Sequence, residues 1–100
     1  MIDLIIGSDH RGFELKEELS KWLCPLDMES DTKFDIAVFQ DAGVHKPKRT
    51  DYNDIAIKVA EKMDICDRGI LICGSGFGMA IQANRYPKVR AVVCNDIFDV

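Results

Sequence analysis

The sequence predicts an α/β fold: a doubly wound parallel sheet, Rossmann-like with flavodoxin-like strand order, in a three-layer αβα arrangement. Three observations carry this reading. Short apolar runs alternate with segments of helical period, in the order βαβαβαβ. The run Ile70-Leu71-Ile72 is apolar without alternation, the pattern of a strand covered on both faces as in a parallel sheet. Two turns rich in unusual residues, Gly7 to Gly12 and Cys73 to Gly78, follow the first and third strands, where such a sheet opens its crevice.

Each element has its own signal. Leu4-Ile5-Ile6 is a short β-branched run ended by Gly7-Ser8-Asp9, and Phe13, Leu15, Leu19, Trp22 and Leu23 then recur at mostly helical spacing. Pro25 stops that helix, because proline disfavours helical geometry in the residue before it and has no N–H to donate. Leu26 to Lys33 is a polar connection, and Phe34 to Phe39 a second strand with Ile36 and Val38 in alternation. A long loop through Gly43, His45 and Pro47 leads to a second helix from Tyr52 or Asn53, with Ile55, Ala56, Val59, Ala60 and Met63 on its apolar face. Asp67 to Cys73 is the third strand and Met79 to Asn84 the third helix, ended by Pro87; Val89 to Cys94 supplies a fourth strand.

The bulk properties bound the function. A chain of 100 residues, 47% hydrophobic and 30% charged, fits one globular domain with a small core that a partner chain would help stabilise. Thirteen Lys and Arg against 17 Asp and Glu leave a net charge of −4, which argues against nucleic acid as a partner. Phosphate recognition must then come from a local site, and the cluster Lys46-Pro47-Lys48-Arg49 reads as a solvated loop. Cysteines at 24, 66, 73 and 94 form no Cys-x-x-Cys pair, and no His-x-x-x-His accompanies them, so no metal site is expected. With neither a signal-peptide pattern nor a long apolar stretch, the chain reads as cytoplasmic, with reduced thiols and no membrane partner.

The chemistry concentrates in the two turns. In Cys73-Gly74-Ser75-Gly76-Phe77-Gly78, glycines at alternate positions leave backbone N–H groups unshielded, so the turn is able to surround an anion with a thiol at its edge. A phosphatase-type loop needs an arginine closing the turn, and this one has glycines, Ser75, Phe77 and Met79 instead. A cysteine hydrolase needs a partnering histidine, and only His10 and His45 exist. A proton-abstracting base needs only an acidic C–H and donors for the enediolate oxygen, which Gly74 to Gly78 would provide. The glycine spacing does not match a dinucleotide fingerprint, and the turn follows the third strand and not the first, which argues against a nicotinamide cofactor. Cys24, Cys66 and Cys94 read as buried, inert thiols. In the first turn, Asp9 either caps the following helix or faces a ligand, and His10 at a helix N-terminus suits a phosphate or a sugar oxygen.

Taken together, these segments resemble the ribose-5-phosphate isomerase B family, which includes galactose- and allose-phosphate isomerases. Gly7-Ser8-Asp9-His10-Arg11-Gly12-Phe13-Glu14-Leu15-Lys16 is similar to the family's opening motif, with Arg11 where a small residue is usual. Asp51-Tyr52-Asn53-Asp54 resembles its Asp-Tyr-Pro-Asp segment with asparagine for proline. Ile70 to Met79 with Ala83-Asn84-Arg85 resembles its catalytic turn and following helix, and Val89 to Cys94 its fourth strand.

The resemblance implies an aldose–ketose isomerase of the pentose phosphate pathway, interconverting ribose 5-phosphate and ribulose 5-phosphate through an enediolate. Cys73 would be the base, since position 79 is Met where a second subtype carries a glutamate. Ser75 and the N–H groups of Gly74, Gly76, Phe77 and Gly78 would hold the oxyanion, and Asp9 would assist ring opening. His10 would help bind phosphate, Asp51 and Tyr52 would line the sugar site, and no metal or organic cofactor is implied. The family forms homodimers and extends into a fifth strand and a C-terminal helix that bring a His-Asn pair and phosphate-binding arginines. Residues 1–100 then form a single sugar-phosphate isomerase domain lacking that strand and helix, with weak or no activity alone. The alternatives are a hexose-phosphate isomerase and a non-catalytic phosphosugar-binding module.

Overall fold

The computed structural model describes residues 2–23, 36–74 and 76–94. Its elements are β1 (Ile2–Ser8), α1 (Phe13–Leu23), β2 (Ile36–Asp41), α2 (Tyr52–Lys62), β3 (Arg68–Ile72) and α3 (Phe77–Ala83). The strands form one parallel sheet in the order β2-β1-β3. This is the doubly wound, flavodoxin-like order expected from the sequence, with β1 and β3 as neighbours. The stop at Pro25, the connection Leu26 to Lys33 and the expected start of the second strand at Phe34 lie outside the described residues.

Burial follows from that order. β1 is the central strand, and Leu4 to Ser8 are all buried. Ile5 packs with Val59 of α2 and Cys66, and alternation along the strand turns Leu4 and Ile6 to the opposite face. α1 packs on β1 and β3, whereas α2 and α3 pack on each other and on the sheet, which makes the three layers. Ile70-Leu71-Ile72 is only half-buried, not covered on both faces as expected. Among the described residues β3 pairs only with β1, so it is an edge, and the fully covered strand is β1.

Two further expectations change. Val89 to Cys94 is not a strand. Ala91 gives its N–H to Asn84 Oδ1 at 2.7 Å and accepts from Asn84 Nδ2 at 2.9 Å, so an asparagine side chain takes the bonds a neighbouring strand would have taken. On α1, Leu15 and Trp22 are 54% and 57% exposed, and of the expected apolar face only Leu23 is buried. Lys16 is buried in their place, fully removed from solvent and held by carboxylates. Among the described residues no helix is long and apolar enough to cross a membrane.

Candidate functional site

The carboxyl ends of β1 and β3 and the loop before α2 enclose an open cleft of about 840 Å³. Its walls are Asp9, His10 and Arg11 from the first turn, Arg49, Thr50, Asp51 and Tyr52 from the loop, and Cys73, Gly74 and Gly78 from the third-strand turn. The crevice therefore forms where the strand order predicts, and the β2–α2 loop closes its third side.

Local hydrogen bonding explains how each side chain is held. Asp9 is 5% exposed, and its Oδ1 accepts from Arg11 N at 2.9 Å and Gly12 N at 3.1 Å. The capping alternative is not realised: both donors precede α1, so one oxygen of Asp9 closes the turn before the helix while the carboxylate lines the cleft. Asp51 does cap α2: in extended geometry at the N-cap, its Oδ1 accepts from Asn53 N at 3.0 Å. Asp9 is carried further by the strand, through a bond from its own N–H to Ile72 O at 3.2 Å that ties the first turn to the end of β3.

His10 bridges two walls. Thr50 N donates to His10 Nδ1 at 3.2 Å, which in the neutral ring leaves the proton on Nε2. In the imidazolium form Nδ1–H is able to donate to Thr50 O, 3.3 Å away. This contact keeps the first turn against the α2 loop, and His10 lines the cleft beside Thr50.

Cys73 is half-buried at the end of β3, and its Sγ accepts from Gly76 N at 3.0 Å. Gly76 adopts φ +86°, the left-handed geometry that brings its N–H back onto the sulfur, and stands as N-cap of α3. This revises one expectation: the Gly76 N–H faces the thiol, not an oxyanion. Phe77 opens α3 at 59% exposure and is not a wall of the cleft. Gly78 sits beneath the Tyr52 ring, so closely that a Cβ there would lie 2.5 Å from Cε2. Ser75 lies outside the described residues. Among the described residues no group of three or more His, Cys, Asp or Glu side chains is placed to hold a metal ion.

The cysteines divide by environment. Cys66 is buried, and burial, with the nearby Asp3 and Asp67 charges, pushes its thiol up against the opposing effect of Lys62. It fits the inert role expected of it. Cys94 is exposed rather than buried, because the segment carrying it docks through Asn84 and is not inserted in the sheet. Cys24 lies outside the described residues.

A model of the ribose/galactose isomerase family matches residues 4–100. This chain belongs to that family. It is 38% identical over 102 residues to D-erythrulose-4-phosphate isomerase 2 of Mycolicibacterium smegmatis, covering 99% of this chain and 62% of that protein. It is 38% identical over 98 residues to ribose-5-phosphate isomerase B of Escherichia coli K12, covering 96% and 60%. Among solved structures, ribose-5-phosphate isomerase B of Clostridium thermocellum aligns with a TM-score of 0.82 at 39% identity, over 97% of this chain and 61% of that one. The type B enzyme of Trypanosoma brucei aligns at 0.75 and 36% identity, over 98% and 63%. The chain thus spans about three fifths of the length of the relatives it matches.

For this member of the isomerase family, the cleft unites Asp9, His10, Asp51, Tyr52, Cys73, Gly74 and Gly78 of the expected site. Sequence reasoning missed Arg11, Arg49 and Thr50, noting Arg11 only as a departure from the family motif and assigning the basic run 46–49 to solvent. Residues 46–49 are indeed exposed, yet Arg49 faces the cleft. Its position two residues before Asp51, at the start of a helix that lines the site, was the available signal.

Proposed function

We propose that the chain carries the catalytic thiol of a ribose-5-phosphate/ribulose-5-phosphate isomerase. The observation that carries this reading is Cys73 Sγ at the wall of a cleft it shares with Asp9, His10, Asp51 and Tyr52. In the ring-opened sugar, the Cys73 thiolate takes the proton from C2. The C–H electrons form the C1–C2 double bond while the carbonyl electrons move onto O1, giving the enediolate. The thiol returns that proton to C1, and transfer of the O2 proton to O1 leaves the carbonyl at C2. The Gly74 turn backbone supports the oxyanion, and Ser75 would join it. Asp9, with Oδ1 committed to the turn before α1, would meet the sugar ring oxygen or a hydroxyl through Oδ2; His10 Nε2 would meet phosphate.

A homodimer as the working unit, and the need for the segments that complete the longer relatives, belong to the same proposal. A different phosphorylated sugar is the second reading, favoured by the similarity to a D-erythrulose-4-phosphate isomerase. The test is a coupled isomerase assay on the full-length protein with ribose 5-phosphate, a tetrulose phosphate and hexose 6-phosphates, beside a Cys73→Ala variant. Turnover of ribose 5-phosphate that falls by at least about a thousandfold in the variant is expected. Equal rates in the two proteins would remove Cys73 from the mechanism.

A further inference from the structure

The peptide unit between Ser8 and Asp9 is pinned from both sides. Its oxygen, on Ser8, accepts from Val44 N at 2.9 Å, and its N–H, on Asp9, donates to Ile72 O at the end of β3 at 3.2 Å. Ser8 N also donates to Gly43 O at 2.7 Å, so the turn at Gly43 and Val44 takes both backbone groups of a fully buried residue. A peptide unit is planar, so fixing its two polar groups fixes the plane from which Asp9 departs. What braces the turn lies outside the cleft. Asp41 Oδ1 accepts from Gly43 N at 2.8 Å, while its Oδ2 meets the buried Lys16 Nζ at 2.6 Å, and Asp41 is not among the cleft walls.

We propose that Asp41 is a positioning residue for the reaction: through the Gly43 turn it fixes the peptide unit that carries Asp9, a reading that rests on the isomerase assignment of the cleft. Two donors approach Asp41, one at each oxygen, and only a carboxylate has an acceptor for both. Lys16 holds Oδ2, which keeps Oδ1 turned to Gly43. Without the bond to Gly43 N the turn is free to shift, and the Ser8 oxygen loses its fixed donor on that side. Asp9 then moves relative to Cys73, although the bonds within its own turn survive. A group that acts on a bound sugar has little tolerance for such a shift, because its effect depends on placement to a fraction of an ångström.

The test compares two double variants of the full-length protein, Lys16→Met/Asp41→Asn and Lys16→Met/Asp41→Leu, neither of which leaves a buried charge alone. Asparagine keeps an acceptor for Gly43 N, and leucine, of similar size, has none. Turnover is read well below both melting temperatures, with ribose 5-phosphate or the tetrulose or hexose phosphate that the wild type uses instead. The leucine variant is expected to show kcat/KM at least about tenfold below the asparagine variant, the scale of a small misplacement of a catalytic group. Beside Asp9→Asn the two should turn over alike, because the turn acts only through Asp9. Amide hydrogen exchange should be faster at Ser8, Gly43 and Val44 in the leucine variant and unchanged in β3. Equal kcat/KM, equal exchange, or a difference in turnover that persists beside Asp9→Asn overturns the proposal. Faster exchange at those amides, with no sugar phosphate turned over even by the wild type, upholds the hold of Asp41 on Ser8 and overturns the isomerase reading instead.

Discussion

Lys16 Nζ lies 2.6 Å from Asp41 Oδ2, with the lysine side chain wholly removed from solvent. Its ammonium also meets Glu17 Oε1 at 2.9 Å and lies 5.5 Å from the centre of the Phe13 ring. The other oxygen of Asp41 accepts from Gly43 N at 2.8 Å, and Gly43 O accepts from Ser8 N at 2.7 Å. One ion pair thus joins α1 to the turn that supports the last residue of β1, next to Asp9 in the cleft.

Replacing Lys16 by Met should therefore destabilise the protein. Removing one partner of a buried pair costs about 3–5 kcal/mol, and the partial exposure of Asp41 places this case near 3. Urea unfolding should show a lower midpoint with an unchanged slope. A Lys16→Met/Asp41→Asn double variant should recover part of the loss, since no carboxylate is then left without its cation.

The same pair dictates an alkaline limit. Burial by itself lowers the Lys16 pKa, but hydrogen bonds and charge attraction from Asp41 and Glu17 outweigh it, and the net shift is upward. A raised lysine pKa contributes stability that is fully present below the ordinary lysine value, about 10.4, and is lost as pH rises through the folded-state value. Melting temperature should therefore fall above about pH 10, and the part of that fall due to Lys16 should be missing in Lys16→Met. Parallel pH profiles of the two proteins would contradict this.

Gly78→Ala should damage the site more than the fold. The new methyl would meet the Tyr52 ring at 2.5 Å, and the ring, 39% exposed, is able to swing outward. Overpacking in a rigid core costs about 1–3 kcal/mol, but an exposed ring yields first. Steady-state kinetics should show a several-fold rise in KM with a melting temperature close to wild type, and the rise should shrink in Gly78→Ala/Tyr52→Leu.

Alkylation should rank the cysteines by environment. Burial and neighbouring carboxylates push the Cys66 thiol up, and thiolate is the reactive form. With limiting iodoacetamide at pH 8, mass spectrometry should find Cys66 modified at least about tenfold more slowly than the exposed Cys94. Comparable rates would show that the Cys66 pocket opens readily in solution.

Local signals made most of the architecture legible. β-Branched runs ended by glycine placed β1 and β3, helical spacing placed α1 and α2, and the alternation of strand with helix required a parallel sheet whose crevice lies over β1 and β3. Cys73 and Asp9 were visible for the same reason: each stands where a strand turns toward a helix, and such junctions have a recognisable chemistry, whereas Asp51 was legible only through the family resemblance of its segment.

What tertiary structure decided are the matters of partnership, which depend on residues distant in the chain. Nothing adjacent to Lys16 in the sequence marks it for burial, which follows only when Asp41, 25 residues on, is folded against it. Val89 to Cys94 has the composition of a strand, but Asn84 takes the backbone groups of Ala91 before any ladder does. Arg49 belongs to a solvated run until Thr50 meets His10 across the cleft. Periodicity and turn chemistry act over a few residues and so determine elements, whereas burial of a charge or completion of a site is settled only by which elements meet.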